Sequence, residues 1–170
     1  MICTVMKKTN AILNYSQDIV LLGLRLLLAY TFYAPAMAKI SDISATAMWF
    51  ESMGIPLPTL NAYMAAGTEM AGVVLLTLGL MTRYISIPLI GVMVVAILTV
   101  HGVNGFSVIQ EGFAVINPYV NGELIEGTVV VLQNGYELVL YYSLMLAVLV
   151  SHGGGRLSLD YFLDKKIENN

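Results

Sequence analysis

Charge and sulfur chemistry are what this chain has least of. Only 11% of its residues are charged, against about 25% in an ordinary soluble domain. Its single cysteine is Cys3. One thiol excludes an intramolecular disulfide, a CxxC redox pair and a cysteine-based metal cage. No HExxH motif, phosphate-binding loop or nucleophile triad is present, so no catalytic residue is assigned from motifs. The net charge of −3 gives no reason to expect nucleic acid or another polyanion as a partner.

Apolar residues fill the gap: 58% of the chain is hydrophobic and the mean hydropathy is +0.78. That composition defines an all-α membrane protein, and 170 residues make one domain, 1–170. The stretch Leu21 to Ile40, LLGLRLLLAYTFYAPAMAKI, is about 30 Å long as a helix, the thickness of a bilayer's hydrocarbon core. Arg25 and Lys39 interrupt it. Fourteen positions separate them, four helical turns less about 40°, so Arg25, Phe32 and Lys39 share a stripe that should face other helices. Lys7, Lys8, the apolar run and Ala36-Met37-Ala38 imitate a signal peptide, but the run is too long and is broken by Arg25, so a retained helix is the better reading. Residues 1–19 are polar enough to stay outside the membrane. Pro35 should kink the helix and free a carbonyl that Thr31 or a neighbouring helix helps to satisfy.

Three further apolar stretches complete a predicted four-transmembrane-helix bundle, with helices at about 20–40, 60–81, 84–102 and 136–152. Met81-Thr82-Arg83 is the short link of an antiparallel pair. Lys7, Lys8, Arg83, Arg156, Lys165 and Lys166 fall on one side, so both termini should be cytoplasmic, with 153–170 as a cytoplasmic tail. The outer loops are then 41–59 and 103–135. In the first, Ser41-Asp42, ISATAMWFESM and Gly54-Ile55-Pro56 read as a cap, a short interfacial helix and a stop. In the second, FAVI, NPYVNG and ELIEGTVVVL suggest a small β-hairpin, with Glu111, Glu123 and Glu126 as a solvated surface rather than a calcium loop.

Intramembrane ionisable groups are the candidate site. Lys39, Glu69, His101 and Glu137 come from four helices towards one outer region, and Arg25 lies deeper on the first. Glu69 is about 10 Å below the end of its helix, where an unpaired carboxylate is costly. One reading is a structural pair of Glu69 with Lys39, which depth favours, or with Arg25. The other is a cavity for a polar headgroup, a quinone ring or a metal. His152 reads as an exposed residue at a helix C-terminus. Ten methionines, among them Met37, Met48, Met53, Met64 and Met70 on the outer side, suit Cu(I) as thioethers but are better explained as packing. Tyr63, Tyr84 and Tyr136 are interface anchors, and one hydroxyl of Tyr141 and Tyr142 should face the bundle. Gly67, Ala71, Gly72 and Gly79 form a small-residue surface for helix contact.

The order LGLRLLLAYTFYAPAMAKI, GIPLPTLNAYMAAGTEMAGVVLLTLGLMTR and GGGRLSLDYFL, over Leu21 to Leu163, resembles the DoxX family of four-helix membrane proteins. The matching positions are Arg25, Lys39, Gly54-Ile55-Pro56, Glu69, Gly72, Gly79, Thr82-Arg83 and Gly155 through Asp160. FYAPAMAKISDISATAMWFESMGIPLPTLNAYMAAGTE, RYISIPLI and NGYELVLYY resemble its Hvf-type branch, departing from it by extra sequence around 114–133. The resemblance implies a bacterial inner-membrane accessory protein in maturation of a copper-binding, ribosomally made peptide, with protein or peptide partners and room for a homo-oligomer. Other relatives imply a quinone-reactive subunit of an oxidoreductase, and distant ones an assembly chaperone or scaffold.

Overall fold

The computed structural model describes the backbone of residues 2–112, 119–120, 123–124, 129–132 and 135–168, and the side chains of 16–108 and 135–168. The side chains of Cys3, Lys7, Lys8, Glu111, Glu123 and Glu126 therefore lie outside the described set.

Helix α1 runs over Ile2–Ser41, 40 residues, and so begins well before the expected start near residue 20. The reason is local: no glycine or proline, the residues that break helices, precedes Gly23. Pro35 lies inside α1 and withdraws the donor that the Thr31 carbonyl would have used. The Thr31 hydroxyl does not fill that gap; it donates to the Leu27 carbonyl at 2.9 Å.

Helix α2, Ile43–Ser52, is capped by Asp42, whose Oδ1 accepts from the Ala45 amide at 2.8 Å. It stops at Met53 and turns through Gly54, at φ 75°. Helix α3 begins at Pro58 and ends at Leu78, three residues before the expected Met81. Gly79 ends it, taking the left-handed conformation at φ 66° while the Leu80 amide bonds back to the Leu75 carbonyl at 2.9 Å. Gly79 is thus a helix stop rather than part of a packing face. Gly72 does serve packing: a Cβ there would stand 2.8 Å from Leu89 Cδ1.

Helix α4 spans Thr82–Ala96 and passes without a break into a π turn, Ile97–His101, and a 3₁₀ turn, Gly102–Asn104. Helix α5 is Glu137–His152, and α6, Leu159–Glu168, gives the tail a helix that was not expected. Between residues 109 and 132 the described backbone carries two short antiparallel pairs, Ile109–Gly112 with Val129–Leu132 and Tyr119–Val120 with Glu123–Leu124. The residues joining them, and hence the expected hairpin as a unit, lie outside the described set.

The body of the fold is helical. Helix α1 packs on α3, α3 on α4, α4 on α5 and α5 back on α1, with α2 laid against α3. Leu28, Phe32, Leu76, Leu89, Leu146 and Leu149 fill the centre of this ring, and Ala47, Phe50 and Ala62 form a second cluster beneath α2. The outer surface is apolar as well, with Tyr30, Leu98 and Ile87 exposed, as a helix packed against lipid requires. Two stretches are long and apolar enough to cross a membrane, Ser16–Ser41 and Thr82–Asn104, and Glu137–His152 is a shorter apolar helix.

Candidate functional site

Polar side chains gather at two opposite ends of the ring. At the end where α3 turns into α4, Arg25 is completely buried. Its Nη2 donates to the Leu157 carbonyl at 2.6 Å and its Nη1 to the Leu76 carbonyl at 3.4 Å. The tail is clasped from other directions too. The Asp160 carboxylate accepts from the amides of Met81 at 2.6 Å and Thr82 at 2.9 Å, which places a negative charge on the first turn of α4, where the helix dipole favours it. The Asp160 amide donates to the Gly79 carbonyl at 2.9 Å. Asp18 on α1 accepts from the Arg156 amide at 2.9 Å, and Ser158 Oγ donates to the Gly155 carbonyl at 2.5 Å. A side chain at Gly79 would fall on Arg25 Nη1. Gly79, Arg25 and Gly155 through Asp160 therefore form one structural clasp that pins the tail across the ends of α1, α3 and α4.

At the other end, under α2, lies a cavity of about 620 Å³ lined from all five helices, α1 to α5, and by the π turn. That is the size range of sites for drug-sized ligands. Its wall is mainly apolar: Phe32, Trp49, Phe50, Met64, Val92 and Val139 contribute among others. Into this wall are set Lys39 and Glu69, with Nζ 2.8 Å from Oε2 and side-chain exposures of 16% and 3%. Lys39 Nζ also donates to the Pro35 carbonyl at 3.4 Å, which leaves its third N–H for another acceptor. Thr68, Asn61, His101 and Tyr142 add polar atoms to the same wall. His101 ends the π turn, an irregularity that often marks functional sites in helices. The arrangement can hold an apolar body while offering a hydrogen-bond donor and a carboxylate to one polar end.

The five residues singled out from the sequence divide accordingly. Lys39, Glu69 and His101 share the cavity wall. Glu69 pairs with Lys39 rather than Arg25. Arg25 is separated from Lys39 by fourteen positions of α1, about 21 Å at 1.5 Å per residue, and serves the clasp. Glu137 lies beside the cavity but works locally: its Oε2 accepts from the Val108 amide at 3.2 Å and its Oε1 from the Tyr141 hydroxyl at 2.8 Å. Tyr142, not Tyr141, reaches the cavity. His152 is exposed at the end of α5, with Nδ1 against the Val148 carbonyl at 3.2 Å. Of the methionines, Met53, Met64 and Met93 line the cavity, whereas Met37 and Met48 are exposed elsewhere. Sequence reasoning missed Asp18, and it placed Ser158 and Asp160 only among the positions matching a family pattern, in the dense GGGRLSLD run, without a partner for either. Among the described residues no three His, Cys, Asp or Glu side chains stand close enough to hold a metal ion.

Apolar helices surround a cavity that carries the Lys39–Glu69 ion pair, and two of their stretches are long and apolar enough to cross a membrane. Residues 20–102 match the model of the family described as DoxX. The matched stretch holds Arg25, Lys39, Glu69 and His101 but stops short of α5 and the tail. A Haemophilus influenzae protein described as an uncharacterized protein is 28% identical over 153 residues, covering 85% of this chain and 83% of its own length. No solved structure matches the chain.

Proposed function

We propose that the chain crosses the bacterial inner membrane four times, through α1, α3, α4 and α5, with both termini cytoplasmic and α2 on the outer face. The cation distribution supports this orientation, and the apolar outer surface supports the crossing. Within that frame the protein holds a membrane-soluble ligand with a polar head in the α2-side cavity, a quinone ring fitting best, and acts as a quinone-reactive subunit of an oxidoreductase. One observation carries the reading: the buried Lys39–Glu69 pair set in an otherwise largely apolar cavity of about 620 Å³. A quinone brings carbonyl oxygens and an apolar body. The free N–H of Lys39 suits a ring oxygen, Glu69 is placed to exchange a proton there, and the electrons come from a partner protein.

A second reading rests on a different subset of the same wall. Met53, Met64 and His101 all line the cavity, and thioether with imidazole suits Cu(I). This supports an accessory role in maturation of a copper-binding, ribosomally made peptide, as the Hvf-type resemblance implies. One preparation in mild detergent separates the two readings. Quinone found at one per chain by extraction and mass spectrometry, without copper in elemental analysis, supports the first. Copper without quinone supports the second, and neither would leave the cavity a structural feature of a scaffold.

A further inference from the structure

Helix α6 has no part in the cavity, yet it is built in a specific way. Leu159, Leu163 and Ile167 recur every fourth position and so form one stripe, and all three are exposed, at 42%, 49% and 74%. The direction of this stripe is set by Asp160, whose carboxylate is held on the Met81 and Thr82 amides. That contact turns the Asp160 side of α6 towards the point where the apolar stretch Thr82–Asn104 begins. At about 100° per residue, Leu163 and Ile167 lie roughly 60° and 20° from Asp160 around the helix. The uncovered apolar stripe therefore faces the level at which α4 enters the bilayer. Lys165 and Lys166 stand about 140° and 120° from Asp160, on the side of α6 turned away from that level and towards water.

We infer that α6 lies in the plane of the membrane, with Leu163 and Ile167 at the boundary between headgroups and acyl chains, Leu159 at the edge of that face and the lysine-bearing side turned to water. Its partner is the lipid surface. Amphipathic helices of this length bind membranes weakly alone, but the clasp of Arg25, Asp160 and Asp18 holds α6 at the right depth, so the surface contact adds to an attachment already made. The helix then acts as an interfacial foot for α4. The inference rests on α4 crossing the membrane.

The test uses the full chain in vesicles of phosphatidylethanolamine and phosphatidylglycerol. In a Cys3→Ser background, single spin labels are placed at Leu163→Cys, Ile167→Cys and, as a membrane control, Val94→Cys. Accessibility to oxygen and to a water-soluble nickel chelate is then read by electron paramagnetic resonance. The expected result is oxygen-rich, nickel-poor behaviour at 94, and at 163 and 167 nickel accessibility several-fold below that of an aqueous label. Labels at 163 and 167 as open to nickel as in water, with 94 still in lipid, would overturn the proposal for α6 alone. Dipolar broadening between labels at 167 would overturn it in favour of a second copy covering the stripe. A water-exposed label at 94 would overturn the crossing of α4 and the inference with it.

Discussion

The Lys39–Glu69 pair gives the sharpest energetic prediction. Glu69 is almost fully enclosed, at 3% side-chain exposure, and Lys39 keeps 16%. Lys39→Met leaves the carboxylate without its 2.8 Å partner, and removing one member of a buried pair costs about 3–5 kcal/mol. Glu69→Leu is milder, about 1–3 kcal/mol, because the ammonium keeps the Pro35 carbonyl and some access to solvent. The double variant replaces both charges by apolar side chains and should return to within about 1 kcal/mol of the parent, since such replacements are often near neutral. In a domain of this size about 1 kcal/mol moves the midpoint by 2–4 °C. Thermal unfolding in detergent should therefore show Lys39→Met falling by roughly 10 °C, with most of that loss recovered in the double variant. If the two single effects simply add in the double variant, the groups are not coupled and the pair is not the buried unit described here.

Other consequences follow from the two polar ends. For quinone retention, Glu69→Ala should lose at least about tenfold, about 1.4 kcal/mol, whereas His152→Ala should change nothing and His101→Ala should cost less than Glu69→Ala; equal retention in a well-expressed Glu69→Ala protein would refute this ranking. Gly79→Ala forces a side chain into the left-handed region and onto Arg25 Nη1, and should destabilise by about 3 kcal/mol, read as a lowered unfolding midpoint. Asp160→Asn removes the charge from the start of α4 at a cost of about 1 kcal/mol. It should also speed proteolytic cleavage in 153–168 while leaving the cavity's ligand binding within about twofold, about 0.4 kcal/mol.

Much of this was legible from periodicity and punctuation. Asp42 and Gly54 bracket α2 because a short acceptor side chain starts a helix and a left-handed glycine ends one. Pairing of Glu69 with Lys39 followed from depth. Arg25 misled the reading because position along α1 gives height but not azimuth or partner, and its acceptors are the carbonyls of Leu76 and Leu157, which carry no sequence signature of their own. The early start of α1 was missed because hydropathy marks the apolar run, whereas helix length is set by the absence of breakers. Gly79 looked like a packing residue because small-residue spacing and a helix stop are written with the same amino acid. The clasp of Asp18, Ser158 and Asp160 joins residues more than a hundred positions apart in part, and only the folded chain brings them together.

The most direct test of the central claim uses the chain's single tryptophan, because Trp49 lines the cavity and quinones quench indole fluorescence at close range. Titrating a short-chain quinone into the purified protein should quench Trp49 along a saturable isotherm, and Lys39→Met should weaken the apparent affinity by about tenfold or more, about 1.4 kcal/mol. Quenching that rises without saturation, or saturates identically in the parent and in Lys39→Met, would contradict a quinone held against the Lys39–Glu69 pair.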